Sequence, residues 1–420
     1  MLDFSRAMSP GRVFIDYNNR MAIDFFQRGF LVAFLVFQSA SAAPGQSAQV
    51  SSDLASREIV VTTLADYHPR DKAIQGSLRW ALHRKGPSVI RFAVSGNIDL
   101  VDTLAISQPY VAIDGSTAPG EGVTLRRAQV QVIDTHDVVL RHLRFRCGDG
   151  FVDDKARRKM HGDYNDHSPK GSGGLRSLLI WGKKKEPTRN ILIENCSIQN
   201  STDDNANVWG NCRGIVFRRC LMSGGYAVVR VQSDVVNISK GLMAGVEPGK
   251  QSMNFPDYLT IDQCLFAYLG ARAPDINGSV ANIVNCVIVA SRQGGVVTKT
   301  RANIVNNSCW SLPDHPWGAN ADRQLTVDVA QSERGAYYLA GNYMDGVAEN
   351  EKVIGLRNQG QSDLPAFLLA TSPWPGLPAD ILSAPDALRA VLRDAGCTLP
   401  RRDAADEQVI TRVKSRIGSP

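Results

Sequence analysis

Three short stretches of the chain carry charged residues whose types could do chemistry. They are "LGARAPDING" with Arg272, "SKGLMAG" with Lys240, and "STDDNAN" with Asp203 and Asp204. A positioned cation can stabilise negative charge that develops during a reaction. Carboxylate and carbonyl oxygens are the ligands that Ca²⁺ prefers. Each stretch could equally be an ordinary turn, because turns are rich in Asp, Asn and Gly.

The elements that would position these residues form an internal repeat. Five segments share an apolar strand, a polar pair, a Cys or Asn and a second short strand: "NILIENCSIQNS", "GIVFRRCLMSGG", "YLTIDQCLFAYL", "ANIVNCVIVAS" and "ANIVNNSCWSL". The aligned column holds Cys196, Cys220, Cys264, Cys286 and Asn307, at intervals of 24, 44, 22 and 21 residues. A period of about 22 residues is typical of a solenoid, and 44 is two periods or one with an insertion.

The strand–turn–strand content of the repeat predicts a parallel β-helix, an all-β solenoid in which like residues stack in interior ladders. A leucine-rich repeat has a similar period but needs a leucine consensus that these segments lack. The cysteine column is predicted to be a ladder of buried thiols, because free Cys packs as a small hydrophobe. The disulfide status of the other four cysteines stays open: Cys147, Cys212, Cys309 and Cys397.

Earlier coils and terminal helices complete the predicted domain, which we place at residues 58–345. "SVIRFAVSGNIDL", "LAISQPYVAIDG", "GVTLRRAQVQVI" and "DVVLRHLRFRCGD" indicate upstream coils, and "DKAIQGSLRWALHRK" predicts a helix that caps the open N-terminal end. The repeat weakens beyond Ser311. We expect residues 346–420 to form a C-terminal extension whose short helices pack on the solenoid or its end.

The N-terminus has the pattern of a secretory signal. Arg28 precedes the apolar run 30–37, and Ala40-Ser41-Ala42 provides an A-x-A cleavage site. The apolar run is too short to span a bilayer. We therefore expect a signal peptide at residues 1–42, a linker at 43–57, and a secreted or periplasmic protein with no membrane contact after cleavage.

Composition narrows the partners. The chain of 420 residues has 47 basic and 41 acidic residues, a net charge of +6, which suits a polyanionic glycan without requiring one. It has no zinc-ligand spacing, RNP-like run or basic amphipathic helix, so we expect no nucleic-acid partner. A solenoid of this kind is expected to be a monomer.

Six motifs in order resemble the pectate lyase family of right-handed parallel β-helices. They are "GSLRWAL", "DVVLRHLRFRCGD", "ILIENCSIQNSTDDNANVW", "SKGLMAG", "ARAPDING" and the tail "VLRDAGCTLPRRDAADEQVI". The resemblance covers roughly residues 58–311. It implies a secreted polysaccharide lyase that cleaves an acidic uronan, most simply pectate or polygalacturonate, by β-elimination.

The resemblance also assigns roles to residues. Arg272 matches the base that removes the C5 proton, and Lys240 matches a lysine that contacts the substrate, so both are predicted to be catalytic. Arg176, Lys240 and Asn277 are the predicted substrate-binding residues. An arginine base is unusual because its ordinary pKa is far above neutral, so its surroundings must lower that pKa.

The family's calcium site is only partly matched. Asp203 stands at the first of two acids spaced four apart, and Asn207 stands at the second. Asp204 and Glu194 are nearby candidate ligands, so the sequence predicts Ca²⁺ held by Asp203, Asp204, Asn207 and Glu194. The alternative is that Arg176 supplies the positive charge itself, as in the calcium-independent pectin lyase branch.

Other departures keep rival functions open. Asp275 and Asn277 stand where the family has two further arginines, so the substrate could be another polyuronate or methylated pectin. A non-catalytic glycan-binding or surface β-helix protein is one rival. A β-helix glycoside hydrolase is the other, since "NSTDDN" resembles its clustered aspartates, although its further motifs are not found.

Overall fold

The computed structural model describes residues 57–418 apart from 162–173, 227, 232–233, 238–239, 246–256, 279, 290, 292–293, 311–324, 328–334 and 357–363. The predicted signal peptide, residues 1–42, and all but the last residue of the predicted linker, 43–57, lie outside the described residues.

The described chain is dominated by short strands. In order they are β1 (Arg57–Val61), β2 (Ser88–Phe92), β3 (Gly96–Asp99), β4 (Leu104–Ile106), β5 (Val111–Asp114), β6 (Val123–Arg126), β7 (Val130–Ile133), β8 (His136–Arg141), β9 (Arg144–Arg146), β10 (Leu178–Gly182), β11 (Thr188–Glu194), β12 (Ser197–Gln199), β13 (Asp204–Gly210), β14 (Cys212–Arg218), β15 (Leu221–Ser223), β16 (Val228–Val231), β17 (Asp234–Asn237), β18 (Lys240–Gly245), β19 (Asp257–Asp262), β20 (Leu265–Ala267), β21 (Asp275–Asn277), β22 (Val280–Val284), β23 (Val287–Val289), β24 (Gly295–Thr298), β25 (Arg301–Val305), β26 (Ser308–Trp310), β27 (Leu325–Val327), β28 (Tyr337–Ala340), β29 (Tyr343–Met344), β30 (Val347–Ala348) and β31 (Ile354–Leu356).

All of these strands except β16 and β17 form three long sheets, and each coil of the chain contributes one strand to each sheet. Sheet A runs β1-β2-β5-β8-β11-β14-β19-β22-β25-β28, and sheet B runs β3-β6-β9-β12-β15-β20-β23-β26-β29-β30. Sheet C runs β4-β7-β10-β13-β18-β21-β24-β27-β31. Pairing is parallel throughout except for β29 with β30. The predicted right-handed parallel β-helix is confirmed.

Two details of the predicted solenoid are corrected or completed by the pairing. The 44-residue interval is one coil with an insertion, since β14 pairs directly with β19, and the insertion contains the antiparallel hairpin β16–β17. The solenoid also continues past 345, where we expected it to end, because β31 pairs with β27 in sheet C. The repeat was hidden there because no cysteine marks the later coils.

A ladder of buried side chains follows the aligned column through the interior. All eight cysteines are buried free thiols, so the predicted thiol ladder is confirmed and the other four are unpaired as well. The Cys286 amide donates to Asn307 Oδ1 at 2.8 Å, and the Asn307 amide donates to Asn342 Oδ1 at 3.0 Å. Asn342 thus extends the predicted column by one coil.

Among the described residues, five α-helices accompany the strands: α1 (Leu78–Leu82), α2 (Asp154–His161), α3 (Asn350–Val353), α4 (Ala384–Asp394) and α5 (Ala404–Ile417). The predicted cap helix is only α1. It starts late because Gly76 has a φ of 81° and Ser77 caps the helix by accepting from the Trp80 amide. None of the helices among the described residues is long and apolar enough to cross a membrane.

Helices α4 and α5 lie against the outer face of sheet B. Their apolar side chains pack on that sheet, for example Val391 and Val413 with Leu265 and Val287. A buried ion-pair network adds to this contact, because Arg146 binds Asp403 at 2.6 Å and Asp406 at 2.9 Å. The outer face of sheet B is therefore covered over these coils, and the predicted site residues other than Glu194 lie in strands of sheet C or just before them.

Candidate active site

The predicted site residues that the structure brings together lie at one corner of the solenoid, where the chain passes from sheet B into sheet C. Arg176 precedes β10, Asp203 and Asp204 stand where β13 begins, Lys240 begins β18, and Arg272 precedes β21. The four strands are consecutive in sheet C. Four successive coils therefore deliver these side chains to one place.

At this corner three cations are paired with two buried carboxylates. Asp203 accepts a hydrogen bond from Lys240 Nζ at 3.0 Å, and its other oxygen lies 2.7 Å from Arg176 Nη2. Asp204 accepts from Arg272 Nη1 through both carboxylate oxygens, with Oδ2 at 2.5 Å. Asp204 is 0% exposed and Lys240 is 3% exposed. We call these five residues the charged cluster.

Burial and mutual pairing shift the pKa values of the charged cluster in different directions. Burial acts to raise the pKa of Asp203, but the charges of Arg176, Lys240 and Arg272 outweigh it, and the pKa is lowered. Burial prevails at Asp204, whose pKa is raised although Arg272 opposes the change. Burial acts to lower the pKa of Arg272, yet Asp204 and Asp203 raise it overall. Arg272 is therefore a cation at rest, and Asp204 is the more easily protonated of the two aspartates.

The backbone around Arg272 is held by the neighbouring coil. Arg272 has a φ of 61°, a region that non-glycine residues rarely occupy. The Gly241 amide donates to the Ala271 carbonyl at 3.0 Å, and the Leu242 amide donates to the Arg272 carbonyl at 2.8 Å. A Cβ on Gly241 would lie 2.2 Å from that carbonyl oxygen. Gly241 of "SKGLMAG" therefore lets β18 lie close enough to hold the backbone at Arg272 by hydrogen bonds.

The residues present do not fit the predicted Ca²⁺ site. Both oxygens of Asp203 and both of Asp204 already face cations, and Asn207 donates through Nδ2 to Asp204 Oδ2 at 2.9 Å. Calcium requires several oxygen ligands that are not engaged in this way. In the part of the chain that the structure describes, no three His, Cys, Asp or Glu side chains are grouped so that they could hold a metal.

Glu194 does not join the other predicted ligands. It ends β11 in sheet A, where its carboxylate lies 3.1 Å from Arg141 and 3.9 Å from Arg219. Asp204 begins β13 in sheet C, so the two acids belong to different faces of the solenoid. The candidate ligand Glu194 was therefore wrong, because the chain between Glu194 and Asp204 passes through β12 of sheet B and turns two corners of the coil.

Asn277 lies on sheet C, two residues beyond Asp275 in β21. Asp275 Oδ2 is 3.9 Å from Arg272 Nε, and its Oδ1 accepts from the Val296 amide at 2.7 Å. Asn277 Oδ1 is buried and has no hydrogen-bond partner among the described residues. Asp275 thus contacts the charged cluster, and Asn277 lies further along the same face.

Two tryptophans beside the charged cluster were missed in the sequence. Trp181 and Trp209 are register partners in β10 and β13, with ring centroids 6.2 Å apart and planes at 89°. The Arg176 guanidinium lies over the Trp209 ring, 4.4 Å from its centroid. The signal was the dipeptide "WG" that ends both strands, one coil apart.

Comparison with known proteins agrees with this architecture. A protein of Aspergillus flavus named probable pectate lyase C is 23% identical over 351 residues, which cover 81% of this chain and 70% of that protein. Its namesake in Aspergillus oryzae is 22% identical over 395 residues, covering 91% of this chain and 80% of that protein. No family profile matches the chain.

Solved structures with the same fold are more distant in sequence. Jun a 1, the major allergen of cedar pollen, superposes with a TM-score of 0.55 at 14% identity, covering 81% of this chain and 88% of the allergen. A pectate lyase from Xanthomonas campestris superposes with a TM-score of 0.53 at 12% identity, covering 83% and 96%. The protein is thus a right-handed parallel β-helix. Its resemblance to the pectate lyases, indicated by the motifs, is confirmed.

Proposed function

We propose that this protein is a polysaccharide lyase that cleaves an acidic uronan, most simply pectate or polygalacturonate, by β-elimination. The observation that carries the proposal is the convergence of Arg176, Lys240 and Arg272 on Asp203 and Asp204 at the corner between sheets B and C. The names of the Aspergillus relatives support the same reaction class. The predicted roles of the individual residues remain part of this proposal.

The enzyme must first provide cations that bind the carboxylate of a uronate substrate. Its C5 proton is only weakly acidic, and removing it places a second negative charge next to the carboxylate. Lys240 and Arg176 share Asp203 as their partner. A substrate carboxylate that enters between Lys240 and Arg176 would replace Asp203 as the partner of one of them. Each cation would then still face a carboxylate. Charge-assisted hydrogen bonds of this kind stabilise the enolate-like intermediate more than the ground state.

Arg272 is the proposed acceptor of the C5 proton, and Asp204 makes that role chemically possible. A guanidinium has no lone pair, so Arg272 must first pass a proton to Asp204 across their short contact. The neutral guanidine then takes the C5 proton. The electrons of the C5–H bond form the C4–C5 double bond, the C4–O bond breaks, and the leaving oxygen takes a proton from water. The hydroxide formed then takes the proton from Asp204, which restores the Arg272–Asp204 pair. Burial favours the neutral Arg–Asp pair because desolvation penalises both charges.

The positive charge that calcium would provide is supplied in this proposal by Arg176. Its guanidinium lies against Asp203, the aspartate that matches the first of the family's two calcium acids spaced four apart. This is the alternative that the sequence left open, and the poor fit of the carboxylates to Ca²⁺ favours it. Lyase activity is therefore expected without added metal.

One observation favours a second function, a non-catalytic glycan-binding protein. Arg272 is held as a cation by Asp204 and lies 3.9 Å from Asp275, an arrangement that keeps the guanidinium protonated and does not activate it as a base. The two functions differ in their product and not in their affinity for uronans.

The proposed enzyme acts outside the cell or in the periplasm. This part rests on the signal-like residues 1–42 and on the size of a uronan polymer, which cannot cross a membrane. Detection of the mature protein in culture medium or periplasm, starting near residue 43, would support export, and a cytoplasmic full-length chain would refute it.

The test is an assay over a panel of uronans with and without a chelator. A lyase makes an unsaturated 4,5-uronide that absorbs in the near ultraviolet, and a hydrolase makes new reducing ends without that absorbance. Binding without either product would establish the second function. Absence of unsaturated product from every uronan would overturn the lyase proposal.

A further inference from the structure

Two oxygen atoms face the ends of the Arg176 guanidinium. Its Nη2 lies 2.7 Å from Asp203 Oδ2, and its Nη1 donates to the Gly174 carbonyl at 3.2 Å. Arg176 Nε is buried and has no hydrogen-bond partner among the described residues. Asp203 therefore does not bind the Nε–Nη2 edge of the group through two parallel hydrogen bonds, the arrangement that fixes an arginine most firmly. Another contact has to set the tilt of the planar group.

The indole of Trp209 provides that contact. Arg176 Cζ lies over the Trp209 ring, 4.4 Å from its centroid. A guanidinium within about 6 Å of an aromatic centroid is attracted by the electrons of the ring, and tryptophan gives the strongest attraction of this kind. The Arg176 side chain is only 18% exposed, so water screens the attraction little. The indole can therefore orient the guanidinium while the end nitrogens face oxygen.

Trp209 offers its ring and not its N–H group. Its chain neighbour Val208 belongs to the core, and side chains alternate along a strand, so Trp209 points out of the solenoid. A buried tryptophan usually finds a hydrogen-bond partner for its indole nitrogen. Trp209 Nε1 is buried and has no such partner in the part of the chain that the structure describes. The contacts that hold this side chain are therefore those of its ring.

Trp181 braces the indole of Trp209 from the preceding coil. The two residues are register partners in β10 and β13, and their rings meet edge to face, with centroids 6.2 Å apart and planes at 89°. This is a favourable geometry for two aromatic rings. Lys183 Nζ in turn lies 3.8 Å from the centroid of Trp181. Lys183, Trp181, Trp209 and Arg176 thus form a continuous series of contacts that ends at Asp203.

We propose that Trp209 is a positioning residue that holds the Arg176 guanidinium in the orientation needed to bind a substrate carboxylate. The role matters most when that carboxylate replaces Asp203 as the partner of Arg176, because the indole then keeps the guanidinium in place. A cation that is already oriented needs no reorganisation as charge develops on the substrate. Trp209 acts through Arg176 alone, and this role rests on the proposed function for the identity of the substrate.

A double-mutant cycle tests whether Trp209 acts through Arg176. The proteins are the wild type, Trp209→Leu, Arg176→Met and the double variant, each assayed for kcat/KM on polygalacturonate and for the dissociation constant of an oligogalacturonide by calorimetry. Trp209→Leu is expected to lower kcat/KM by roughly two- to thirtyfold, the loss of a partly buried cation–π contact. In the Arg176→Met background the same change should have an effect of less than about twofold, because coupled residues are not additive.

Two further variants separate positioning from folding. Trp209→Phe keeps an aromatic face and removes no hydrogen bond of the described residues, so it should retain more activity than Trp209→Leu. Trp374→Leu is the matched control, since Arg301 lies over the Trp374 ring at 5.0 Å and the Trp374 amide donates to Asn303 in sheet A. Its kcat/KM should equal that of the wild type.

Equal losses from Trp209→Leu with and without Arg176 would overturn the positioning role, and so would a Trp209→Leu protein with wild-type kcat/KM and affinity. Failure of the lyase proposal looks different. In that case the wild type makes no unsaturated product, and the cycle is decided by the dissociation constants, where the same loss of additivity is expected and additive losses overturn the role. A wild type that binds no uronan would overturn both.

Discussion

Arg272 donates through one nitrogen to both carboxylate oxygens of Asp204, a side chain with no solvent-exposed surface. The contact joins two coils of the solenoid at the corner where the chain enters sheet C. It makes Arg272 a poor base in isolation, since the carboxylate raises the pKa of the guanidinium. It also provides a place for the proton that a guanidinium must lose. The proposed reaction therefore depends on the pair.

Asp204→Asn should separate these two effects. The amide keeps the shape of the carboxylate but cannot take a proton from Arg272, so kcat should fall by about 10²–10⁴-fold, the usual contribution of general acid–base catalysis. KM should change little, because Lys240 and Arg176 remain. Steady-state kinetics on polygalacturonate measures both values, and circular dichroism checks the fold. An unchanged kcat would show that Asp204 only positions Arg272.

The pH dependence of kcat follows from the same residue. Asp204 can accept a proton only as a carboxylate, and burial raises its pKa above the ordinary 3.8. Activity should therefore be lost as the pH falls, with a midpoint above pH 3.8. The pKa of Asp203 is lowered, so that side chain should stay charged there. Initial rates across the acidic range provide the measurement, and full activity persisting below that pH would contradict it.

Chelation tests whether Arg176 replaces calcium. EDTA should leave the rate unchanged, because the carboxylates of the charged cluster already face cations. Arg176→Met should lower kcat/KM by about 10- to 100-fold, the loss of a charge-assisted hydrogen bond. Lys184→Met, at a side chain 71% exposed, is the control and should have no effect. Loss of activity in EDTA with recovery on Ca²⁺ addition would refute this assignment.

The interior ladder makes a prediction about stability. Asn307 accepts from the Cys286 amide at 2.8 Å and donates to the Ile283 carbonyl at 2.8 Å. Asn307→Ala leaves both buried groups without a partner, so the free energy of unfolding should fall by about 1–3 kcal/mol for each unsatisfied group. Denaturant unfolding measures the change. Asn97→Ala, at an exposed position of β3, should be neutral, and equal losses for both variants would argue against the ladder.

The sequence predicted the solenoid well because each coil repeats the same local pattern. Cys196, Cys220, Cys264 and Cys286 recur at positions that the fold buries, and a period visible in the chain becomes a stack in space. The grouping of Lys240, Arg272 and Asp203 followed from the family resemblance, which gave the order of the motifs.

Contacts between coils could not be predicted in the same way. Which aspartate pairs with which cation depends on the strand register across coils, and no local sequence pattern records that register. Asp204 pairs with Arg272, and Asp203 pairs with Lys240 and Arg176. Glu194 seemed close to Asp204 along the chain, yet a coil has three faces and the two lie on different ones. Trp209 was overlooked because its surroundings come from β10 and β18, outside its own segment.

Turnover by Arg272→Ala tests the proposed base most directly, and the control is Arg70→Ala, which alters an exposed arginine far along the chain from "LGARAPDING". The measurement is the near-ultraviolet absorbance of unsaturated product from polygalacturonate, with circular dichroism to confirm that both variants fold. We expect wild-type rates for Arg70→Ala and a loss of at least about 10²-fold for Arg272→Ala. A folded Arg272→Ala protein that turns over substrate at the wild-type rate would contradict this expectation.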